Sequence, residues 1–158
     1  MAKRKKIEPI APGFEQEFEV ATLKASLSLA RDFVGTLQAG DTVALFGDLG
    51  AGKTAWVRAM VDELGFSGYV NSPTFTLLNI YQTSSYQVNH FDFYRIEHEE
   101  EALGIGFDEY LDDDGLCFIE WPENIIDLLP EKRYEIHLSM PDFLNKPEAR
   151  HIRILKIE

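Results

Sequence analysis

In the first half of the chain, the spacing of apolar residues is typical of strands and of helices in turn. Residues 14–20 (FEQEFEV) alternate apolar and polar side chains, which predicts a half-buried strand. From Thr22, a residue type suited to an N-cap, apolar side chains recur at three- and four-residue spacing through position 37, which predicts a helix. The compact apolar run 42–46 predicts a buried strand, and a second helical pattern covers 53–64. The first half therefore predicts the order β-α-β-α.

The second half of the chain is richer in strand patterns. The predicted strands are 75–81, 85–94, 116–121, 133–140 and 150–157, and the polar QTSS segment joins the first two as a hairpin. The acidic segment 98–115 predicts a short helix and a loop, and Pro122 suits the first turn of a further helix. The whole order predicts an α/β fold, with a mixed, mainly parallel sheet flanked by helices, a β-hairpin and late antiparallel strands. Such a sheet carries a crevice at the carboxyl ends of its parallel strands.

Length and charge narrow the class of protein. The 158 residues predict a single domain over 14–158. The basic start, MAKRKKIEPIAPG, carries charges and prolines instead of the apolar core of a secretory signal, which predicts a flexible basic arm over 1–13. A formal net charge of −12 argues against a broad nucleic-acid face, which needs clustered lysines and arginines. No run approaches the roughly 18 apolar residues of a membrane span, and the one cysteine, Cys117, suits a core position, so we expect a cytoplasmic location.

The segment between the strand at 42–46 and the helix at 53–64 carries the clearest chemistry. It reads GDLGAGKT from Gly47 to Thr54 and fits the P-loop pattern G-x-x-x-x-G-K-[ST]. Glycines let successive backbone N–H groups point at phosphate oxygens, and the start of a helix favours the same charge. Lys53 adds a positive charge for the β- and γ-phosphates, and the Thr54 hydroxyl can bind Mg²⁺. This predicts a P-loop NTPase-like fold whose phosphate-binding residues are Gly50, Ala51, Gly52, Lys53, Thr54 and Ala55.

Two predicted strands end in a carboxylate that could complete the site. Asp92 ends VNHFD, and Glu120 ends LCFIE. A P-loop ATPase needs an acid at the end of a neighbouring strand, where it orients the metal ion or the attacking water. The sequence leaves open which of the two acids positions water and which holds Mg²⁺. Trp121 follows Glu120 directly and is predicted to be a core aromatic.

Two further segments bear on the nucleotide. SPTFTL places the hydroxyls of Ser72, Thr74 and Thr76 after the P-loop helix, where nucleotide-sensing loops often lie, although a plain turn explains them equally well. The segment 145–148 (NKPE) approaches the N-K-x-D element that reads guanine. It ends in Glu instead of Asp and follows no buried strand, so we expect a loop there and favour ATP over GTP.

With these motifs in hand, the chain resembles the TsaE (YjeE) family, the bacterial ATPases of tRNA threonylcarbamoyladenosine biosynthesis. The resemblance runs through GDLGAGKT, SPTFTL, HFDFYR and IEWPE in that order, over roughly residues 14–155. It implies an ATP-hydrolysing accessory subunit that uses ATP/ADP and Mg²⁺ and acts on the TsaB–TsaD complex. That complex would place threonylcarbamoyl groups on adenosine 37 of tRNAs reading ANN codons, so tRNA would be reached through the complex.

The resemblance also implies roles for individual residues. It puts Thr54 and Glu120 near Mg²⁺, makes Asp92 the Walker B-like acid and makes the SPTFTL loop switch-like. It puts Thr22 beside the adenine. Catalysis would then rest on Lys53, Asp92 and Glu120, and we expect hydrolysis to be slow without partners. The sequence leaves two alternatives open, a small-molecule kinase and a non-catalytic nucleotide sensor.

Overall fold

The computed structural model describes residues 7–158, which form a seven-stranded sheet with helices on both faces. The strands are β1 (Glu15–Val20), β2 (Thr42–Phe46), β3 (Leu78–Gln82), β4 (Gln87–Asp92), β5 (Leu116–Glu120), β6 (Arg133–Ser139) and β7 (Arg150–Ile157). The helices are α1 (Leu23–Val34), α2 (Lys53–Glu63), α3 (Glu100–Gly104) and α4 (Phe107–Leu111), and a 3₁₀ helix (Pro122–Leu128) follows β5. Within 7–158, no helix is long and apolar enough to cross a bilayer.

The strand order is β1-β7-β6-β2-β5-β4-β3, which confirms the predicted mixed sheet. β2 lies at the centre and pairs in parallel with β5 and β6, and β4 continues the parallel set beyond β5. β7, β1 and β3 pair antiparallel at the two sides, as the late strands and the hairpin predicted. The carboxyl ends of four parallel strands therefore meet at one edge, where the loop after β2 also lies.

Alternation along the parallel strands divides the core into two layers. Phe118 of β5 packs in one cluster with Phe33 of α1 and Trp56 of α2. Its neighbour Ile119 points to the other face and packs with Phe91 and with Phe107 of α4. Because successive strand residues point to opposite faces, a continuous apolar run such as LCFIE fits a strand that is covered on both sides.

Two predicted elements differ from the structure by three residues at one end. The helix predicted to reach position 37 ends at Val34, and the strand predicted at 75–81 begins only at Leu78. Leu77 has a φ of 65°, and its N–H donates to the carbonyl of Pro73 at 2.7 Å. This turn holds the backbone out of the extended conformation before β3, a conformation that composition alone does not predict for a leucine.

The N-terminal segment differs from the flexible arm predicted over 1–13. Residues 1–6 lie outside the described part of the chain, and residues 7–13 pack against the domain. Ile7 and Ile10 are buried in the cluster that holds α1 and α2, and the Gly13 N–H donates to the Lys156 carbonyl at 2.9 Å. Burial of two isoleucines stabilises this attachment, so the packed unit begins before the position predicted for it.

Candidate functional site

The loop between β2 and α2 has the backbone that a phosphate cradle needs. Gly50 and Gly52 have φ values of 85° and 108°, in the left-handed region that glycine enters without strain. Gly47 is needed for a second reason, because a Cβ there would lie 2.7 Å from the Leu138 carbonyl oxygen. The loop therefore depends on glycine for its curvature and for its contact with β6.

A cleft of about 330 Å³ opens above this loop and brings most of the predicted site residues together. It is lined by Asp48, Leu49, Gly50, Gly52, Lys53, Thr54, Ala55, Ser72, Thr74, Asp92, Tyr94, Glu120 and Trp121. Ala51 is buried below the loop, outside that lining. Thr22 accepts a hydrogen bond from the Ala25 N–H at 3.1 Å as the N-cap of α1, and it lines a separate groove of about 550 Å³ between β1 and α1.

Lys53 is held at the mouth of the loop by two contacts. Its ammonium donates to the Gly47 carbonyl and lies 3.7 Å from the centre of the Trp121 ring. Burial lowers the pKa of Lys53, and the carboxylates of Glu120, Glu123, Asp92 and Asp48 oppose that shift. Trp121 has a φ of 56°, unusual for a bulky residue, and this turn after β5 carries its indole over the lysine. The core position predicted for Trp121 is wrong, since its side chain lines the cleft.

Thr54 and Glu120 are joined across the cleft floor. The Thr54 hydroxyl donates to Glu120 Oε1 at 2.7 Å, and Glu120 Oε2 lies 2.6 Å from Nε2 of His90. The Glu120 side chain is only 3% exposed. A buried carboxylate needs hydrogen bonds in place of its lost hydration, and both oxygens of Glu120 have such a partner here.

Asp92 is the register neighbour of Glu120 in the parallel β4–β5 pair, so the two acids lie side by side at the same sheet edge. Its partners are different. Asp92 Oδ2 accepts from the Ser72 hydroxyl at 2.6 Å and from the Thr74 hydroxyl at 3.0 Å, and Oδ1 accepts from the Tyr94 N–H at 2.9 Å. Asp92 is thus tied to the SPTFTL segment, whereas Glu120 is tied to the P-loop helix.

Comparison with known proteins identifies the family. The family model described as "Threonylcarbamoyl adenosine biosynthesis protein TsaE" matches residues 20–149. The chain belongs to the TsaE family. Its TsaE relative from Bacillus subtilis is 43% identical over 97 residues, which cover 61% of this chain and 60% of that protein. The TsaE relative from Haemophilus influenzae is 38% identical over 113 residues, covering 72% and 68%.

A solved structure supports the same fold. The crystal structure of Bacillus subtilis YdiB superposes with a TM-score of 0.76 at 26% sequence identity, covering 92% of this chain and 87% of that one. The predicted resemblance to TsaE and the predicted α/β fold are both confirmed.

Arg150 supports the phosphate loop, a role that the sequence did not predict. From the start of β7, its Nε donates to the Ala51 carbonyl at 2.8 Å and one terminal nitrogen donates to the Gly50 carbonyl at 3.4 Å. In a trans peptide the next N–H points away from the preceding carbonyl, so the bond to Ala51 turns the Gly52 N–H away from Arg150. The guanidinium thus fixes one peptide plane of the cradle from behind. In the sequence, the only indication of this role is a basic residue at the first position of an apolar strand.

The donor set suits a magnesium ion that is shared with a phosphate. Within residues 7–158, no group of three or more His, Cys, Asp or Glu side chains is arranged to hold a metal ion alone. Mg²⁺ usually keeps several waters and is bound by one or two protein oxygens together with substrate phosphates. The Thr54 hydroxyl and the adjoining carboxylates of Glu120 and Asp92 are oxygen donors that fit this mode.

Two residues set aside by the sequence reasoning have structural roles in the TsaE fold. Cys117 is buried, and burial raises the pKa of its thiol to about 11, in keeping with the predicted core position. Glu148 of the 145–148 segment lies in the connection between β6 and β7, and its Oε1 accepts from the Leu23 N–H at 3.4 Å. The segment is therefore the predicted loop, and its acid contacts the start of α1.

Proposed function

We propose that this TsaE-family chain binds and hydrolyses ATP with Mg²⁺. In this proposal it is an accessory subunit that acts on the TsaB–TsaD complex while threonylcarbamoyl groups are placed on adenosine 37 of tRNAs reading ANN codons. The observation that carries the proposal is the bond between Thr54 of the P-loop helix and Glu120 of β5, beside Asp92 in one cleft. A glycine-rich helix cap with no nucleotide role needs neither acid.

Each residue has a task that follows from its contacts. The amides around Gly50 and Gly52 face phosphate oxygens, and Lys53 leaves the Gly47 carbonyl to pair with them. When bound, Mg²⁺ would neutralise charge on the transferring phosphoryl group. Thr54 and Glu120 would hold the Mg²⁺. Asp92 accepts a hydrogen bond from the attacking water and aligns it. Asp92 would release Ser72 and Thr74 to do so, which couples the SPTFTL segment to the nucleotide.

The scarcity of basic side chains in the cleft supports hydrolysis that depends on a partner. Among the described residues that line the cleft, Lys53 is the only basic one. Phosphoryl transfer is accelerated by a second cation, which other P-loop enzymes receive from a partner as an arginine finger. We therefore expect slow hydrolysis by the isolated chain and a faster rate on the TsaB–TsaD complex. The same scarcity of basic groups disfavours a small-molecule kinase, which encloses its phosphoryl acceptor.

Assays of the wild-type chain and of Glu120→Gln together separate the three candidate functions. The amide keeps the size of the side chain but removes its charge, so we expect metal-free ATP binding to persist while phosphate release falls at least about a hundredfold, the scale of a lost electrostatic contact. Transfer of the γ-phosphate to a metabolite without phosphate release would favour the kinase. If the wild-type chain releases no phosphate even with TsaB–TsaD, and the substitution leaves partner binding unchanged, the sensor function is favoured.

A further inference from the structure

One buried polar side chain beside the cleft has no task in the mechanism above. His90 lies on β4, two residues before Asp92, and its side chain is fully buried. Because strand residues alternate, His90, Asp92 and their register neighbours Phe118 and Glu120 face the same layer, on the side of α2. Most buried polar side chains have a hydrogen-bond partner, and the partner of His90 is Glu120 Oε2 at 2.6 Å.

The direction of this hydrogen bond follows from the acceptor. A carboxylate oxygen accepts, so Nε2 of His90 carries the hydrogen and donates to Glu120. Nδ1 has no hydrogen-bond partner among the described residues.

Thr54 donates to the other oxygen of the same carboxylate, from the side of the cleft. His90 occupies Glu120 Oε2, which turns Oε1 towards Thr54. The Thr54 hydroxyl has a single hydrogen, and it is spent on Oε1, so the hydroxyl oxygen presents only lone pairs to the cleft. Lone pairs are what a divalent cation binds, whereas a hydroxyl hydrogen aimed at the cation would oppose it.

We propose that His90 is a positioning residue that acts through Glu120 to keep the Thr54 hydroxyl oriented for a divalent cation. The inference rests on the proposed binding of Mg²⁺ with a nucleotide at this site. When a residue that orients a metal ligand without touching the metal is removed, metal affinity typically falls by about 10- to 100-fold. His90 should therefore govern the part of nucleotide binding that depends on Mg²⁺ and leave the metal-free part unchanged.

The test uses two substitutions that differ in the donor. The amide nitrogen of Gln reaches about as far as Nε2 of histidine, so His90→Gln keeps a donor for Glu120. His90→Leu removes it at similar volume. If His90→Leu does not fold, His90→Asn replaces it. The amide of Asn lies nearer the backbone, at about the position of Nδ1, so it does not reach Glu120 as Nε2 does. Phe91→Leu is the control, because it loosens the same strand from its opposite face and leaves the polar contacts in place.

Calorimetric titration of each full-length variant with the non-hydrolysable analogue AMPPNP, in EDTA and in excess Mg²⁺, gives the ratio of the two affinities. We expect His90→Leu to lower that ratio by about 10- to 100-fold, and we expect His90→Gln and Phe91→Leu to keep it within about threefold. An unchanged ratio in His90→Leu, or an equal loss with and without Mg²⁺, would overturn the proposal. If the wild-type chain binds no AMPPNP in either condition, the proposed nucleotide function itself fails, and this inference fails with it.

Discussion

At the scale of single residues, the site depends on which atom of each side chain donates. Lys53 and Thr54 follow one another at the start of α2, yet they contact different strands. Lys53 donates back to the Gly47 carbonyl at the end of β2, and Thr54 donates across to Glu120 at the end of β5. One helix start thus presents a cation and an oriented oxygen to the same cleft.

Thr54 offers a substitution that changes the hydroxyl and little else. Thr54→Val keeps the shape but removes the oxygen, and it leaves Glu120 Oε1 without its donor. We expect it to weaken AMPPNP binding in Mg²⁺ by at least about tenfold, with little change in EDTA. Thr54→Ser keeps the hydroxyl and should retain most of the affinity. Equal binding by the valine and serine variants would show that the hydroxyl does not hold the cation.

Cys117 gives a prediction about reactivity. Burial raises the pKa of the Cys117 thiol from its ordinary 9.0 to about 11, so the reactive thiolate is scarce at pH 8. The native chain should react with a disulfide reagent such as DTNB far more slowly than the chain in guanidinium does. Because the pKa is raised in the folded state, its contribution to stability is complete below about pH 9 and is lost as the pH rises towards 11. Rapid labelling of the native protein at pH 8 would contradict the buried position.

At the scale of elements, β7 supports the phosphate loop from outside the cleft. Arg150 is buried and donates to two carbonyls of the loop, whereas Arg153, three residues further along β7, is partly exposed and pairs with Glu15 of β1. The first arginine therefore shapes the P-loop, and the second joins only the two outer strands.

The pair of arginines makes a matched experiment. Arg150→Met keeps the buried stem but leaves the loop carbonyls of Gly50 and Ala51 without a donor, which costs about 1–3 kcal/mol of folding stability. We expect a lower Tm and AMPPNP binding weakened by about tenfold or more, since the Gly52 N–H loses its fixed direction. Arg153→Met should leave AMPPNP affinity unchanged. Loss of stability without loss of affinity in Arg150→Met would assign that residue a purely structural role.

The elements also show how far sequence reasoning reaches. Strand β2 and the start of α2 were predicted at their observed bounds, because a buried apolar run and a P-loop are both local patterns. Arg150 lies 99 residues from Ala51 along the chain, and His90 lies 30 residues from Glu120. Their contacts depend on strand order and register, which no local pattern encodes. For the same reason Trp121 was misplaced, since its left-handed turn is set by packing over Lys53.

At the scale of the whole molecule, the acidic charge supports the proposal that the chain reaches tRNA through partners. A chain with a formal net charge of −12 has little means of tracking tRNA phosphates over a broad face. Its cleft is lined by the P-loop lysine, Lys53, and by acids that include the strand-end residues Asp92 and Glu120. In the proposed function this chain would supply the energy, and the complex on which it acts would contact the tRNA.

The most direct measurement is the rate of phosphate release from ATP by the purified chain, with and without TsaB–TsaD, at saturating Mg²⁺. We expect slow release by the chain alone and an increase of at least about tenfold on adding the complex, as a cation supplied by a partner would give. Glu120→Gln should lower both rates at least about a hundredfold. Fast release by the isolated chain that TsaB–TsaD does not change would contradict the account.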